Sequence, residues 1–286
     1  MKIIKYFFEF IFVITFFFVS RVIGYKNSSN LGEFIGKKVG PFFRSKTKIQ
    51  NNLEHSSIGI SHEDRKDLIR NMWGNYGRIL SEYVYLKSFN KNHLSEFIEI
   101  EGLNFLDEIK INNEQVVFIS GHFNNFELMA MEIEKAGINL CAIYRPLNNP
   151  FLNIIMERIR KKYICKNQIK KGKSGTRELL KLFKENFSVA LMIDQRVSEG
   201  ESIEFFKRPA KTTTIPAQLV KKFKCRIVPV YIERIKNLSF RLSFKEPISF
   251  DEGLSINQIS LQLNKLLEKM ILKNPDQWIW SHDRWK

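Results

Sequence analysis

Short apolar segments alternate with amphipathic segments from residue 112 onward, and this alternation limits the fold more than any other feature of the chain. The segments QVVFIS, NLCAIYR and FSVALMID have the length and composition of buried strands. Helical patterns follow the first two of them, and another precedes the third. Such alternation is typical of βαβ units. We therefore expect an α/β fold with a mostly parallel central sheet flanked by helices.

Further helices and strands are predicted on both sides of these units. A short helix (TTIPAQLVKKF), two strands (CRIVPVYIE and LSFRLSF) and a last helix, which Ser255 and Gln258 open as a capping box, follow toward the C-terminus. Upstream, Ser61 can cap an amphipathic helix. Gly74 and Gly77 weaken the interior of that helix, which predicts close packing against a neighbour.

The N-terminal segment is apolar from Ile3 to Ile23 and is broken by the charged residues Lys5, Glu9 and Arg21. About 20 apolar residues are needed to cross a bilayer, so its length is borderline. A signal peptide would need a small-residue cleavage site, which FVSRVIGYK does not provide. A buried core helix is a third interpretation, but the segment is very rich in phenylalanine. We expect a membrane anchor that spans the bilayer or lies in its interface.

The net charge of +16, from 46 Lys and Arg against 30 Asp and Glu, indicates an anionic partner or a merely solvated basic surface. Basic residues are more numerous after the anchor than before it, so the positive-inside rule assigns the rest of the chain to the cytoplasmic side. The three cysteines are far apart, which argues against a disulfide framework and a zinc site. We divide the chain into an anchor (1–24), a basic juxtamembrane connection (25–60), in which KNSSNLGEF is a short flexible segment, and a globular domain (61–286).

The segment SGHFNNFELMAM places His122 and Glu127 five positions apart, where a strand gives way to a helix. Two such residues on one helix point about 140° apart and cannot pair. They can pair if His122 lies in the loop and Glu127 in the first helical turn, with Asn124 or Asn125 as N-cap. Glu127 would then hold one ring nitrogen and leave the other as a base. The alternative is a loop histidine beside an ordinary first-turn glutamate.

Other polar residues follow predicted strands in the same way. Arg145 follows the second strand, and Asp194 and Arg196 follow the third. Open α/β sheets bind ligands at the carboxyl ends of their strands. We therefore expect these residues to line a site, with both arginines facing the cleft and not bulk water. Arginine there can stabilise an oxyanion or bind a phosphate, although a surface ion pair is the alternative for each.

With these motifs the chain resembles the late acyltransferases of lipid A biosynthesis, within the glycerolipid-acyltransferase-like group that carries an H-x4-D/E motif. The matching segments occur in family order: MWGNYGRILSEY, GHFNNFE, YRPLNNP, DQR, FFKRPAKTTT and PDQWIWSHDRW. The chain departs from the family where Asn124, Asn125 and Phe126 replace the usual Gly-Asn-Trp, and at Lys207, where glycine is common. These departures concern the acyl or acceptor pocket.

The resemblance implies a membrane-anchored O-acyltransferase that needs no metal or bound cofactor. His122 would be the base and Glu127 its orienter, while the substrate-binding residues would be Asn125, Arg145, Asp194 and Arg196. An acyl carrier protein thioester, or acyl-CoA, would donate the acyl group to a hydroxyl of an anionic lipid A precursor, with no nucleic-acid partner. The catalytic domain would lie on the cytoplasmic face of the inner membrane.

Two alternatives stay open from the sequence. The acceptor could be another glycolipid or a phospholipid, or the chain could be a non-catalytic, membrane-bound module that binds anions. The C-terminal segment PDQWIWSHDRW is interpreted as a structural clasp, in which His282 is packed or exposed and not catalytic.

Overall fold

The central sheet has seven strands in a computed structural model that describes residues 2–56 and 58–286. In chain order they are β1 (Ile98–Glu101), β2 (Val117–Ser120), β3 (Leu140–Tyr144), β4 (Asn167–Lys170), β5 (Ser188–Met192), β8 (Ile227–Ile235) and β9 (Ser239–Phe244), with β6 (Glu201–Phe205) and β7 (Arg208–Thr212) forming a separate hairpin. Across the sheet the order is β1-β9-β8-β2-β5-β3-β4. Every neighbouring pair is parallel except β8 and β9. The predicted α/β fold with a mostly parallel sheet is confirmed.

Helices flank this sheet and precede it. They are α1 (Lys2–Val22), α2 (Tyr25–Val39), α3 (Lys46–His55), α4 (His62–Glu82), α5 (Leu86–Asn90), α6 (Leu103–Ile111), α7 (Glu127–Lys135), α8 (Pro150–Tyr163), α9 (Lys173–Lys184), α10 (Ile215–Phe223) and α11 (Ile256–Lys273). Because helices cover both faces of the sheet, central strands are buried on both sides, and all four residues of β2 are buried. Two predicted caps are confirmed: Ser61 accepts from the Asp64 amide, and Ser255 forms the capping box with Gln258.

The segment KNSSNLGEF, predicted to be a short flexible connection, lies within helix α2, so its predicted flexibility is wrong. The division of the chain at residues 24 and 60 stays a prediction. Helix α2 packs along α4 at a very short distance, because glycines face each other at the contact. A Cβ atom built on Gly77 would lie 1.8 Å from the carbonyl oxygen of Gly32. The close packing predicted for the glycines of α4 is therefore confirmed, and its partner is α2, the helix that follows α1.

Candidate active site

Histidine 122 and Asp194 meet because their strands are neighbours in the sheet. Strands β2 and β5 run parallel, with Ser120 opposite Met192, so each residue lies two positions beyond the same edge. The Nδ1 atom of His122 lies 2.8 Å from Oδ1 of Asp194. The backbone amide of His122 donates to Oδ2 at 2.9 Å. One carboxylate thus fixes both the ring and the loop that carries it.

A tryptophan from the C-terminal segment completes the surroundings of this carboxylate. The indole nitrogen of Trp278 donates to Oδ2 of Asp194 at 2.9 Å, and both side chains are buried. Burial alone would raise the pKa of Asp194. The charge of His122 and the hydrogen bonds from His122 and Trp278 outweigh burial and lower that pKa to about 2. Asp194 is therefore ionised throughout the physiological range.

The charge of Asp194 also sets the proton affinity of His122. Burial disfavours the charged imidazole, but the charge and the hydrogen bond of Asp194 outweigh it and raise the pKa of His122 above its usual value. Since Nδ1 is hydrogen-bonded to a carboxylate, the neutral ring carries its proton there and Nε2 is the basic atom. The amide nitrogen of Gln195 lies 3.5 Å from Nε2, a weak contact that an incoming hydroxyl can replace.

Glu127 has different partners from the one predicted. Its Oε1 atom accepts the Tyr83 hydroxyl at 2.9 Å and the Nε and Nη2 atoms of Arg160 at 2.8 and 2.6 Å. The prediction of a His122–Glu127 hydrogen bond is wrong, because the ring nitrogen that was expected to bond to Glu127 bonds to Asp194 instead. The predicted N-cap is also wrong: Phe126 precedes the first residue of α7, without a side-chain cap. Glu127 still acts on His122 through its charge, which also favours the protonated ring.

A buried polar network holds the loop between His122 and α7. Asn124 has a left-handed backbone, with φ of 41°, and its amide donates to the carbonyl of Gln277 at 3.2 Å. Its side chain donates to the side chain of Gln277 and accepts from Nε of Arg234 at 3.3 Å. Arg234 forms a two-pronged ion pair with Glu82, at 2.8 and 2.9 Å.

Asn125 belongs to the same network. Its side-chain nitrogen donates to Oε2 of Glu82 at 3.3 Å, and the side chain is buried. The loop is thereby joined to α4 and β8 by hydrogen bonds between buried and half-buried groups. Substrate contact by Asn125 stays a prediction, whereas its hydrogen bond to Glu82 gives it a place in the loop's support.

The two arginines predicted to face the cleft differ in their surroundings. Arg145 follows β3, and its side chain is exposed, so the expectation that it is withdrawn from bulk water is wrong. The guanidinium of Arg196 donates to the carbonyl of Lys286 at 3.0 Å and to the hydroxyl of Ser198 at 3.2 Å. Its backbone amide donates to Nε2 of His282 at 3.2 Å, which gives that histidine the packed role expected of the clasp. Substrate binding by either arginine stays a prediction.

A crevice of about 20 Å³ lies beside the His122 ring, enough for about one water molecule. It is lined by Met72, Asn75, Tyr76 and Ile79 of α4, by His122, Asn124 and Phe126, and by Gln277, Trp278 and Ile279.

Two residues of the site, Trp278 and Arg160, were not predicted from the sequence. The tryptophan-rich C-terminal segment could have indicated Trp278. Nothing in the sequence distinguished Arg160 from the other basic residues of its helix.

A histidine with a buried, ionised carboxylate on Nδ1 can take a proton at Nε2. It does not need a nucleophilic serine or cysteine if the acceptor brings its own hydroxyl. The arrangement is suited to general-base catalysis of a transfer to an external alcohol.

Comparison with known proteins agrees with this chemistry. The family model for bacterial lipid A biosynthesis acyltransferase matches residues 1–286. The lipid A biosynthesis palmitoleoyltransferase of Escherichia coli is 26% identical over 264 residues, which cover 90% of this chain and 84% of that protein. The lauroyltransferase of the same organism is 22% identical over 264 residues, again 90% and 84% of the two chains. The myristoyltransferase is 20% identical over 256 residues, 88% and 77% of the two chains.

Proposed function

Because the chain belongs to the family of bacterial lipid A biosynthesis acyltransferases, we propose that it moves a fatty acyl group from an acyl carrier protein thioester to a hydroxyl of a lipid A precursor. The relatives are named as lauroyl-, myristoyl- and palmitoleoyltransferases, so they share the reaction and differ in the acyl group. The observation that carries the proposal is the His122 ring, held at Nδ1 by the buried carboxylate of Asp194.

The reaction follows from that geometry. Nε2 of His122 takes the proton of the acceptor hydroxyl while the oxygen attacks the thioester carbonyl carbon. The tetrahedral intermediate collapses, the carbon–sulfur bond breaks, and the proton on Nε2 passes to the leaving thiolate. Asp194 stabilises the imidazolium between these two steps and keeps the ring in one tautomer. Ester and free thiol are the products, so atoms and charges balance.

Glu127 and Arg160 take a second role in this proposal. Glu127 holds Arg160 by two hydrogen bonds to one oxygen, with Tyr83 as the third donor to that oxygen. The pair brings a cation and an anion close to His122, where the charge of each acts on the ring. We assign Glu127 to positioning Arg160, whose positive charge favours the developing oxyanion or an acceptor phosphate.

The charge of the chain fits both proposed partners. A net charge of +16 attracts an acidic carrier protein and a phosphorylated glycolipid alike. Acyl-CoA is the alternative donor and is also anionic. Helix α1 has the length and apolarity to cross a membrane, and we assign it as the anchor at the inner membrane, with the catalytic domain on the cytoplasmic face.

The test combines lipid analysis with an assay of the isolated protein. Mass spectrometry of lipid A with and without the chain should differ by the mass of one acyl group. Purified protein in detergent should transfer acyl groups from an acyl carrier protein thioester, and acyl-CoA in parallel identifies the donor.

If lipid A is unchanged and another glycolipid or a phospholipid changes instead, that lipid is the acceptor and the lipid A assignment is wrong. Absence of any acyl transfer, with salt-dependent anion binding retained, would support the non-catalytic alternative instead.

A further inference from the structure

One face of α1 is docked on the catalytic domain along nearly the whole helix. The hydroxyl of Tyr85 donates to the carbonyl of Ser20 at 2.6 Å, close to the end of the helix. Fourteen residues earlier, the side chain of Asn149 donates to the carbonyl of Tyr6 at 2.8 Å. At 1.5 Å per residue these contacts are about 21 Å apart. The anchor does not extend away from the domain but lies against it.

The other face of α1 is apolar and exposed over the same length. The exposed large hydrophobic residues are Ile3, Ile4, Phe7, Phe8, Ile11, Phe12, Phe18, Val19 and Val22, and the exposed Thr15 lies among them. At 100° per residue they share one side of the helix, opposite the buried Phe17 and Ser20. An apolar stripe of this length on the protein surface requires a non-aqueous partner.

The first turn of α8 borders this stripe. The ring centroid of Phe151 lies 6.0 Å from that of Phe7 and 5.7 Å from that of Phe10. Phe7 is itself 47% exposed, so it belongs to the stripe and touches α8 at once. One helical turn beyond Phe151, the side chain of Ile154 is 52% exposed.

The contacts of α1 place this part of the domain at the depth of the lipid chains in either orientation of the anchor. If α1 spans the bilayer, Phe10 and Phe7 lie about 4 and about 9 Å from the middle of the apolar segment, within a half-thickness of about 15 Å. If α1 lies in the interface with its apolar face about 5–10 Å deep, α8 lies beside it at the edge of the stripe. In both orientations of α1, Phe151 therefore lies at the same membrane depth as Phe7.

We infer that the segment from Leu147, in the loop before α8, to Ile154, in the first turns of α8, is a second membrane-contacting surface of the catalytic domain, with the lipid bilayer as its partner. Leu147 is also exposed, and the exposed Arg158, Lys161 and Lys162 follow farther along the helix. An apolar turn followed by cations matches lipid chains followed by anionic headgroups. The same helix carries Arg160, which pairs with Glu127 beside His122. The surface thus adjoins the proposed catalytic site, and the inference rests on the proposed membrane anchoring.

The test measures depth with a fluorophore in full-length protein. All three native cysteines are buried, so single variants Ile154→Cys, Phe12→Cys and Ile111→Cys can each be labelled with an environment-sensitive dye, while the unsubstituted chain should take little label. Ile111 is the matched control: it is 82% exposed at the end of α6, just before β2, on the opposite edge of the sheet from the start of α8. The labelled proteins are reconstituted into vesicles of phosphatidylethanolamine and phosphatidylglycerol that contain phospholipids with brominated chains.

The dye at Ile154 should be quenched strongly, like the dye at Phe12, and the dye at Ile111 should keep its fluorescence. Quenching at Phe12 with no quenching at Ile154 would overturn the inference and leave the anchor in place. No quenching at either position would overturn both. An acyl-transfer assay in detergent, run on the same samples, reports on the catalytic proposal separately.

Discussion

The proposed catalytic group is a histidine and an aspartate that are 72 positions apart in the sequence and 2.8 Å apart in space. Changing His122 to Ala removes the base, and general-base catalysis is worth about 10²–10⁴-fold. We expect acyl transfer to fall by that order with little change in melting temperature, because the ring borders a crevice. The exposed His93 provides the control, and His93→Ala should keep normal turnover. Near-normal turnover in folded His122→Ala protein would rule out the mechanism.

The pH dependence of acyl transfer should report the charge of Asp194. The pKa of His122 is raised, and the protonated ring cannot accept a proton, so the rate should fall as the pH drops through that raised pKa. Changing Asp194 to Asn removes the anion and leaves burial, which favours the neutral ring. The acidic limb of the rate profile should then move to lower pH, while the maximal rate falls because the tautomer is no longer fixed. If the acidic limb of Asp194→Asn stays at the wild-type pH, a group other than His122 controls it.

Stability should respond to acid through the same pair. The folded-state pKa of Asp194 lies at about 2, below its usual value, so its contribution is present at neutral pH and is lost as the pH falls toward 2. The contribution of His122 has the opposite sign: its pKa is raised, so it stabilises at low pH and fades as the pH rises through the raised value. Melting curves of the wild-type protein and Asp194→Asn should therefore converge in strong acid. A constant difference down to pH 2 would contradict this assignment.

At the scale of elements, the buried Glu82–Arg234 pair joins α4 to β8 and carries the loop of His122. Arg234→Met leaves the carboxylate of Glu82 without its main partner, which should cost about 3–5 kcal/mol of unfolding free energy. The double change Glu82→Leu with Arg234→Met removes both charges and should recover most of that stability.

Activity should not recover in the same double variant. The Asn124 side chain would still lack its bond from Arg234, so the His122 loop would lose a fixed support. We expect a reduced kcat with a smaller effect on KM, measured alongside urea unfolding. Full activity in the stable double variant would show that the Glu82–Arg234 pair contributes to stability only.

The close contact between α2 and α4 allows a matched pair of substitutions. Gly77→Ala would place a methyl group against the backbone carbonyl of Gly32, which cannot move easily, and overpacking of this kind costs about 1–3 kcal/mol. Gly74→Ala meets only the flexible side chains of Lys37 and Glu33, and alanine is the better helix former by ~1 kcal/mol. Thermal melting should show loss for the first and little change or a gain for the second. Equal changes in melting temperature for the two variants would mean that α2 and α4 can move apart to accommodate the methyl group.

On the scale of the whole molecule, the exposed stripe of α1 should decide where the protein resides. Replacing Phe8, Phe12 and Val19 by Lys keeps the docked face of the helix and removes apolar surface from the exposed face. A larger share of the triple variant should appear in the soluble fraction after carbonate extraction, while the wild-type protein pellets with membranes. Soluble wild-type protein would contradict the anchor assignment.

The sequence was sufficient for features that depend on local pattern. Helical periodicity and caps gave α4 and α11, and apolar segments of strand length gave β2, β3, β5, β8 and β9. The short strands β1 and β4 were not predicted, because IEIE and NQIK lack a continuous apolar pattern. The close packing of Gly77 followed from a glycine in a helix interior, but nothing in the sequence identified α2 as its partner.

Chain order cannot reveal which strands become neighbours, and that decided the site. The sequence placed His122 and Asp194 each after a strand, and placed Glu127 only five positions from His122. In the folded chain β5 lies between β2 and β3, so Asp194 is brought to the histidine ring from 72 positions away. Glu127 is directed by the start of α7 toward Tyr83 and Arg160. The sequence therefore determined which residues lie at the carboxyl edge of the sheet, and the strand order, a product of long-range packing, determined which of them pair.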